Sequence, residues 1–120
     1  MIKDTLKNAI RSLSKRHSIG EKELRICISK PEKDLKYDIM KNGVILETTN
    51  IATALNLNSM TAFAVSMKLN SVVGKISRDY NIPENRLNVR IYTKTDDCEP
   101  LLYLFDDKTA KESLDLDELI

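Results

Sequence analysis

The stretch Asn58–Tyr80, NSMTAFAVSMKLNSVVGKISRDY, is the longest continuous helical pattern in the chain. Ala62, Val65, Leu69, Val72, Val73, Ile76 and Tyr80 recur at the spacing that gathers side chains on one side of a helix of about 3.6 residues per turn. That side is expected to face the core. Asn58 suits the cap position, because its side-chain oxygen can accept from the free N–H groups of the first turn. The stop is set by Asn81, which tolerates a left-handed backbone, and by Pro83, which holds Ile82 extended.

The first half of this helix carries a second apolar set, Met60, Phe63, Ala64 and Met67, roughly opposite the line through Val65 and Leu69. A helix apolar all round is covered on both sides. Either this half is sandwiched within one domain, or Met60, Phe63 and Met67 form a contact for a partner protein or a second copy, for which flexible Met and planar Phe side chains are well suited.

Working outward, residues 2–17 predict a first helix, with Ile2, Leu6, Ala9, Ile10 and Leu13 on one side and Lys and Arg on the other, stopped at Ser18–Gly20. His17, the sole histidine, falls at the C-terminal end, where a cation is favoured. Residues 23–29 alternate and predict a half-buried strand. Asn42–Gly43 supplies the positive φ values of a two-residue hairpin between LKYDIMK and VILETT. The register expected from that turn pairs Met40 with Ile45, Ile39 with Leu46 and Tyr37 with Thr48, with Tyr37, Ile39, Val44 and Leu46 on the core face. It also sets Asp38 opposite Glu47, a repulsive pair unless Arg25 or Lys36 intervenes.

Residues 49–66 have the spacing of a helix-turn-helix, with Ala52 small, Leu55 and Leu57 at the turn, and Thr61–Ala62 opening the second helix. The segment resembles the pattern of bacterial helix-turn-helix proteins over these residues alone. Beyond the long helix, residues 86–94 alternate as a strand, and Leu101–Phe105, apolar at every position, predicts a strand covered on both faces. Asp106 onward is expected to be an acidic C-terminal tail or helix carrying Leu114, Leu116, Leu119 and Ile120.

These elements predict one α+β domain over residues 1–105, in the order α-β-β-β-α-β-β-(α). A mainly antiparallel five-stranded sheet is packed on one face by the first and the long helix, and residues 106–120 follow as the acidic segment. The order is similar to that of bacterial secretion chaperones, a resemblance of architecture that carries no shared motif. No internal repeat is visible in the residues.

With 42% hydrophobic and 31% charged residues, the composition is that of a globular domain and not of a disordered chain. Charge is unevenly placed. Residues 1–95 hold 17 Lys and Arg against 9 Asp and Glu, a net of +8, while residues 96–120 hold 2 against 9, a net of −7. A basic body attracts polyanions or acidic partners, and a tethered acidic segment competes for the same surface. No run reaches the roughly 20 apolar residues of a membrane span, and MIKDTLKNAIRSLSKRH lacks the apolar core of a signal peptide. No membrane association and a cytoplasmic location are therefore expected. Cys27 and Cys98 are not spaced as a CxxC pair, and the acids around Cys98 disfavour a thiolate.

Nothing supplies an activated nucleophile or a base near neutral pKa, so no enzymatic activity, cofactor or metal is expected. The leading expectation is a small non-catalytic binding or adaptor domain acting through protein–protein contacts and self-associating through Met60, Phe63 and Met67. The alternative is a nucleic-acid-binding protein. Its contacts would come from Asn58 and Ser59 on the helix-turn-helix-like segment, from Lys68 just beyond it on the same helix, and from Arg25, Lys36, Arg90, Tyr92 and Lys94, joined by Tyr103, on the polar strand faces. Basic and aromatic side chains on one sheet face can hold single strands by phosphate contact and stacking.

Overall fold

The computed structural model describes residues 2–95 and 99–114; Cys98 and the expected helix positions Leu116, Leu119 and Ile120 lie outside the described residues. Helix α1 spans Ile2–His17, and the strands β1 (Leu24–Ser29), β2 (Lys36–Lys41) and β3 (Val44–Thr49) follow. A helical turn α2 (Ile51–Ala54) leads into α3 (Ser59–Tyr80), then β4 (Leu87–Tyr92), β5 (Leu101–Asp106) and β6 (Thr109–Ser113). The expected α+β architecture is borne out, with six strands in place of five. Every strand pair is antiparallel, in the order β3-β2-β1-β4-β5-β6.

The core lies between the helices and one face of the sheet. Leu6, Ile10 and Leu13 of α1 and Val65, Leu69, Val73 and Ile76 of α3 form one buried cluster with Leu24, Ile26, Ile28, Ile39, Val89, Ile91, Leu102 and Leu104. Tyr80, read as the end of the core stripe, is instead exposed, and its hydroxyl donates to Glu112 at 2.6 Å. The alternate positions of the central strands, Arg25, Cys27, Ser29, Asn88, Arg90 and Tyr92, are half-buried on the face away from the helices.

Two expectations for the strands need correction. A bulge between Ile39 and Met40 shifts the register, so Ile39 faces Glu47, Asp38 faces Thr48 and Tyr37 faces Thr49. The inserted residue relieves the carboxylate clash: Thr48 donates to Asp38 at 2.7 Å with Lys36 3.6 Å away, while Glu47 turns to Arg16 and His17. Val44 and Leu46, expected on the core face, stand exposed on the edge strand, although Val44 keeps its expected partner Lys41. On β5, Leu102 and Leu104 are buried but Leu101, Tyr103 and Phe105 are only half-buried, so that strand is not fully covered on both faces. The sixth strand comes from Thr109–Ser113, in the stretch expected as the acidic segment. Leu114 beyond it is buried, its N–H donating to Leu102 O at 2.9 Å.

The two halves of the chain repeat one αβββ unit. Each helix ends in a left-handed residue, Ser18 (φ 56°) or Asn81 (φ 53°). The next N–H reaches back five residues, from Ile19 to Ser14 O at 3.1 Å and from Ile82 to Ser77 O at 3.0 Å. This arrangement satisfies carbonyls of the last helical turn. Ser14 and Ser77 return hydroxyl bonds to Ile19 O and Ile82 O. Single 3-10 turns, Glu21–Glu23 and Glu84–Arg86, then lead into Leu24 and Leu87, both buried. Further on, the hairpin residues Asn42 (φ 50°) and Asp107 (φ 53°) correspond, and the bulge at Ile39/Met40 is matched at Leu104/Phe105. Exchanging the units carries the pair Ile26 and Ile91 onto Ile28 and Val89 and leaves Cys27 opposite Arg90. A pseudo-twofold axis therefore passes through the sheet at Cys27 and Arg90.

Candidate contact surfaces

The solvent side of α3 is the first surface. Asn58 caps the helix by accepting from Thr61 N–H at 2.9 Å, and this fixes which residues of the opening turns point outward. Met60, Phe63 and Met67 are 85%, 68% and 58% exposed, with Ala64 exposed between them. The reading in which this half is sandwiched inside one domain therefore fails for the isolated chain. Neither a carboxylate nor an ammonium interrupts the four positions. At the edge of the sheet, Val44 and Ile45 add a smaller exposed apolar area.

The helix-turn-helix spacing is realised as a single turn, α2, packed by buried Ala54 and Leu55 and closed by Leu57 N–H to Ala52 O at 2.9 Å. Of the nucleic-acid candidates here, Asn58 is engaged as a cap, while Ser59 and Lys68 are exposed beside the apolar stripe.

The second surface is the sheet face opposite the helices. Strand alternation and register bring Arg25, Lys36, Arg90 and Tyr92 to it, as the sequence predicts, whereas Lys94 lies in the exposed connection after β4. The Arg25 guanidinium lies 4.5 Å from the centre of the Tyr92 ring, which stacks on Tyr103 at 5.9 Å and 26°. Arg90 lies 4.0 Å over Phe105. Both guanidiniums are steered by neutral acceptors: Arg25 donates to Lys22 O and Leu24 O, and Arg90 to Asn88 Oδ1 and Asp107 O. A cavity of about 530 Å³ spans this face, lined by Arg25, Cys27, Ser29, Met40, Gly43, Asn88, Arg90 and Lys108. The residues place Asn88 on the polar strand face and Phe105 in the fifth strand without marking either as a contact, whereas Lys108 is placed only by continuing β5 into a hairpin.

Among the described residues three groups have a raised pKa. Burial pushes the Cys27 thiol up, against the opposing pull of Arg90, so it is a poor nucleophile. The Tyr37 phenol is raised by burial, and the Tyr80 phenol by its bond to the Glu112 carboxylate. The described residues include no cluster of three or more potential metal-ligating His, Cys, Asp or Glu side chains, and no helix long and apolar enough to cross a membrane. No protein-family model, curated protein or solved structure matches this chain.

Proposed function

We propose that the protein is a non-catalytic binding domain that works through protein–protein contact and self-associates along α3. The observation that carries this reading is the joint exposure of Met60, Phe63 and Met67 on one helix face. Water around three large apolar side chains in a row is unfavourable by roughly 25 cal/mol for each Å² that a partner could cover. Positions 60, 63 and 67 follow the three-and-four alternation with which one helix meshes into another. A twofold contact uses the same patch on both copies and so needs no complementary charge. That suits a stripe without ionic groups of its own.

Sedimentation of the purified chain tests this. The expected result is a concentration-dependent dimer that Phe63→Glu converts to monomer, because the substitution places two carboxylates in one apolar contact. A wild-type monomer at every concentration, with the variant indistinguishable from it, removes the basis of the reading.

A further inference from the structure

The pseudo-twofold axis emerges in the cavity on the open sheet face, and six of its eight lining residues are related by it in pairs. Arg25 occupies the position equivalent to Asn88, and Cys27 that of Arg90. The hairpin residue Gly43 corresponds to Lys108. Each equivalent pair thus contributes one cation, so a symmetric frame carries an asymmetric set: Arg25 and Arg90 on the seam between β1 and β4, and Lys108 reaching the same cavity from the turn between β5 and β6. Arg25 and Arg90 are one two-residue step apart along that seam, roughly 7 Å. A set spread in this way suits a chain of regularly spaced charges better than a single anion.

Four further features point the same way. Neither Arg25, Arg90 nor Lys108 makes an ion pair with a carboxylate among the described residues. Each guanidinium spends two of its five N–H donors on its neutral acceptors, Arg90 also bonding the Cys27 thiol, and both retain donors beyond these. Asp38 is the one carboxylate among the described residues that strand register places on this face. It is buried and already held by Thr48 and Lys36. Beside the cations run the rings of Tyr92, Tyr103 and Phe105, the first and last already beneath guanidinium groups.

We infer that the open sheet face binds single-stranded nucleic acid from the β1–β4 seam to the β5–β6 turn, with successive phosphates on Arg25, Arg90 and Lys108 and bases turned toward the tyrosine and phenylalanine rings. Guanidinium forks match phosphate oxygens, and base–ring stacking tolerates any sequence. The unequal charge of equivalent positions gives the strand a direction. The site lies across the sheet from α3 and is independent of the contact there.

Fluorescence anisotropy of a labelled oligothymidylate titrated with the full chain tests the inference. Three phosphate contacts predict that affinity falls about twentyfold between roughly 50 mM and 200 mM salt. Lys108→Gln, at an exposed turn where folding is not at stake, should lower the slope of log affinity against log salt by about 0.7. Arg25→Gln and Arg90→Gln should each do the same, and Phe63→Glu should leave binding unchanged. No binding at low salt, equal affinity for a duplex of the same length, or an unaltered slope in Lys108→Gln would each overturn the inference. Loss of binding in Phe63→Glu would also overturn it, by moving the site to α3.

Discussion

The two αβββ units share a skeleton and differ in what they show to solvent. In the first, the end of α1 is tied to the third strand by His17, 2.8 Å from Glu47, with Arg16 on the same carboxylate. In the second, the end of α3 is tied to β6 by the Tyr80 hydroxyl on Glu112. The tie survives a change from an imidazole and guanidinium to a phenol, because what the frame requires is a donor there, not a particular charge. On the open face the same freedom has been used differently, with arginine against asparagine and cysteine against arginine. Backbone devices are equivalent where they set the fold, and side chains diverge on the face of the sheet turned away from the helices.

The comparison is most sharply tested in the core. Leu24 and Leu87 enter their strands at equivalent positions and are each 1% exposed. Leu24→Ala and Leu87→Ala should each lose about 3 kcal/mol, and by similar amounts, in urea denaturation. A large inequality would mean that the matched backbone conceals unlike packing. A smaller effect belongs to the helix ends: Ser14→Ala and Ser77→Ala remove equivalent hydroxyl bonds to Ile19 O and Ile82 O, and each should cost about 1 kcal/mol in the same measurement.

The smallest effect separates the two ties. Tyr80 has its pKa raised by Glu112, as Cys27 and Tyr37 have theirs raised by burial. A proton held more tightly in the folded state gives stability that is full below the unfolded pKa and is lost as pH rises through the folded one. Stability should therefore decline as pH climbs past the thiol range and then past about 10, where free phenols ionise. Because the Tyr80 bond is exposed, Tyr80→Phe should flatten this alkaline decline only slightly. Denaturation midpoints recorded on either side of that pH check the sign.

Much of the frame is legible in the residues. The Asn58 cap, the Asn81 stop and the Asn42–Gly43 turn were readable because each is a local backbone requirement met by a residue suited to it. The bulge was not, because Ile45, Leu46 and Glu47 suit a strand in either register, and only the burial of Asp38 beside Thr48 decides between them. The strand β6 was hidden by composition. TAKES carries little apolar patterning, and it is held by pairing with β5 more than by burial of its own side chains.

The repeat escaped notice for a related reason. Shared residues such as Ser14 and Ser77, Ile19 and Ile82, and Glu21 and Glu84 are spread thinly, and the longer connection between β4 and β5 breaks the constant spacing. At the candidate sites, alternation placed Arg25, Arg90 and Tyr92 together, while the exposure of Met60, Phe63 and Met67 depended on how α3 rotates over the sheet. Lys108 became visible only with the second hairpin.

In the proposed assembly α3, and not the open sheet face, is where copies of this chain meet. Methionine methyl groups report on both surfaces at once, since Met60 and Met67 lie on the helix stripe and Met40 lines the cavity across the sheet. In a chain carrying isotope-labelled methionine methyls, dilution should shift the Met60 and Met67 resonances together and leave Met40 in place. Resonances that stay fixed over the whole dilution series, or a shift confined to Met40, would contradict the account.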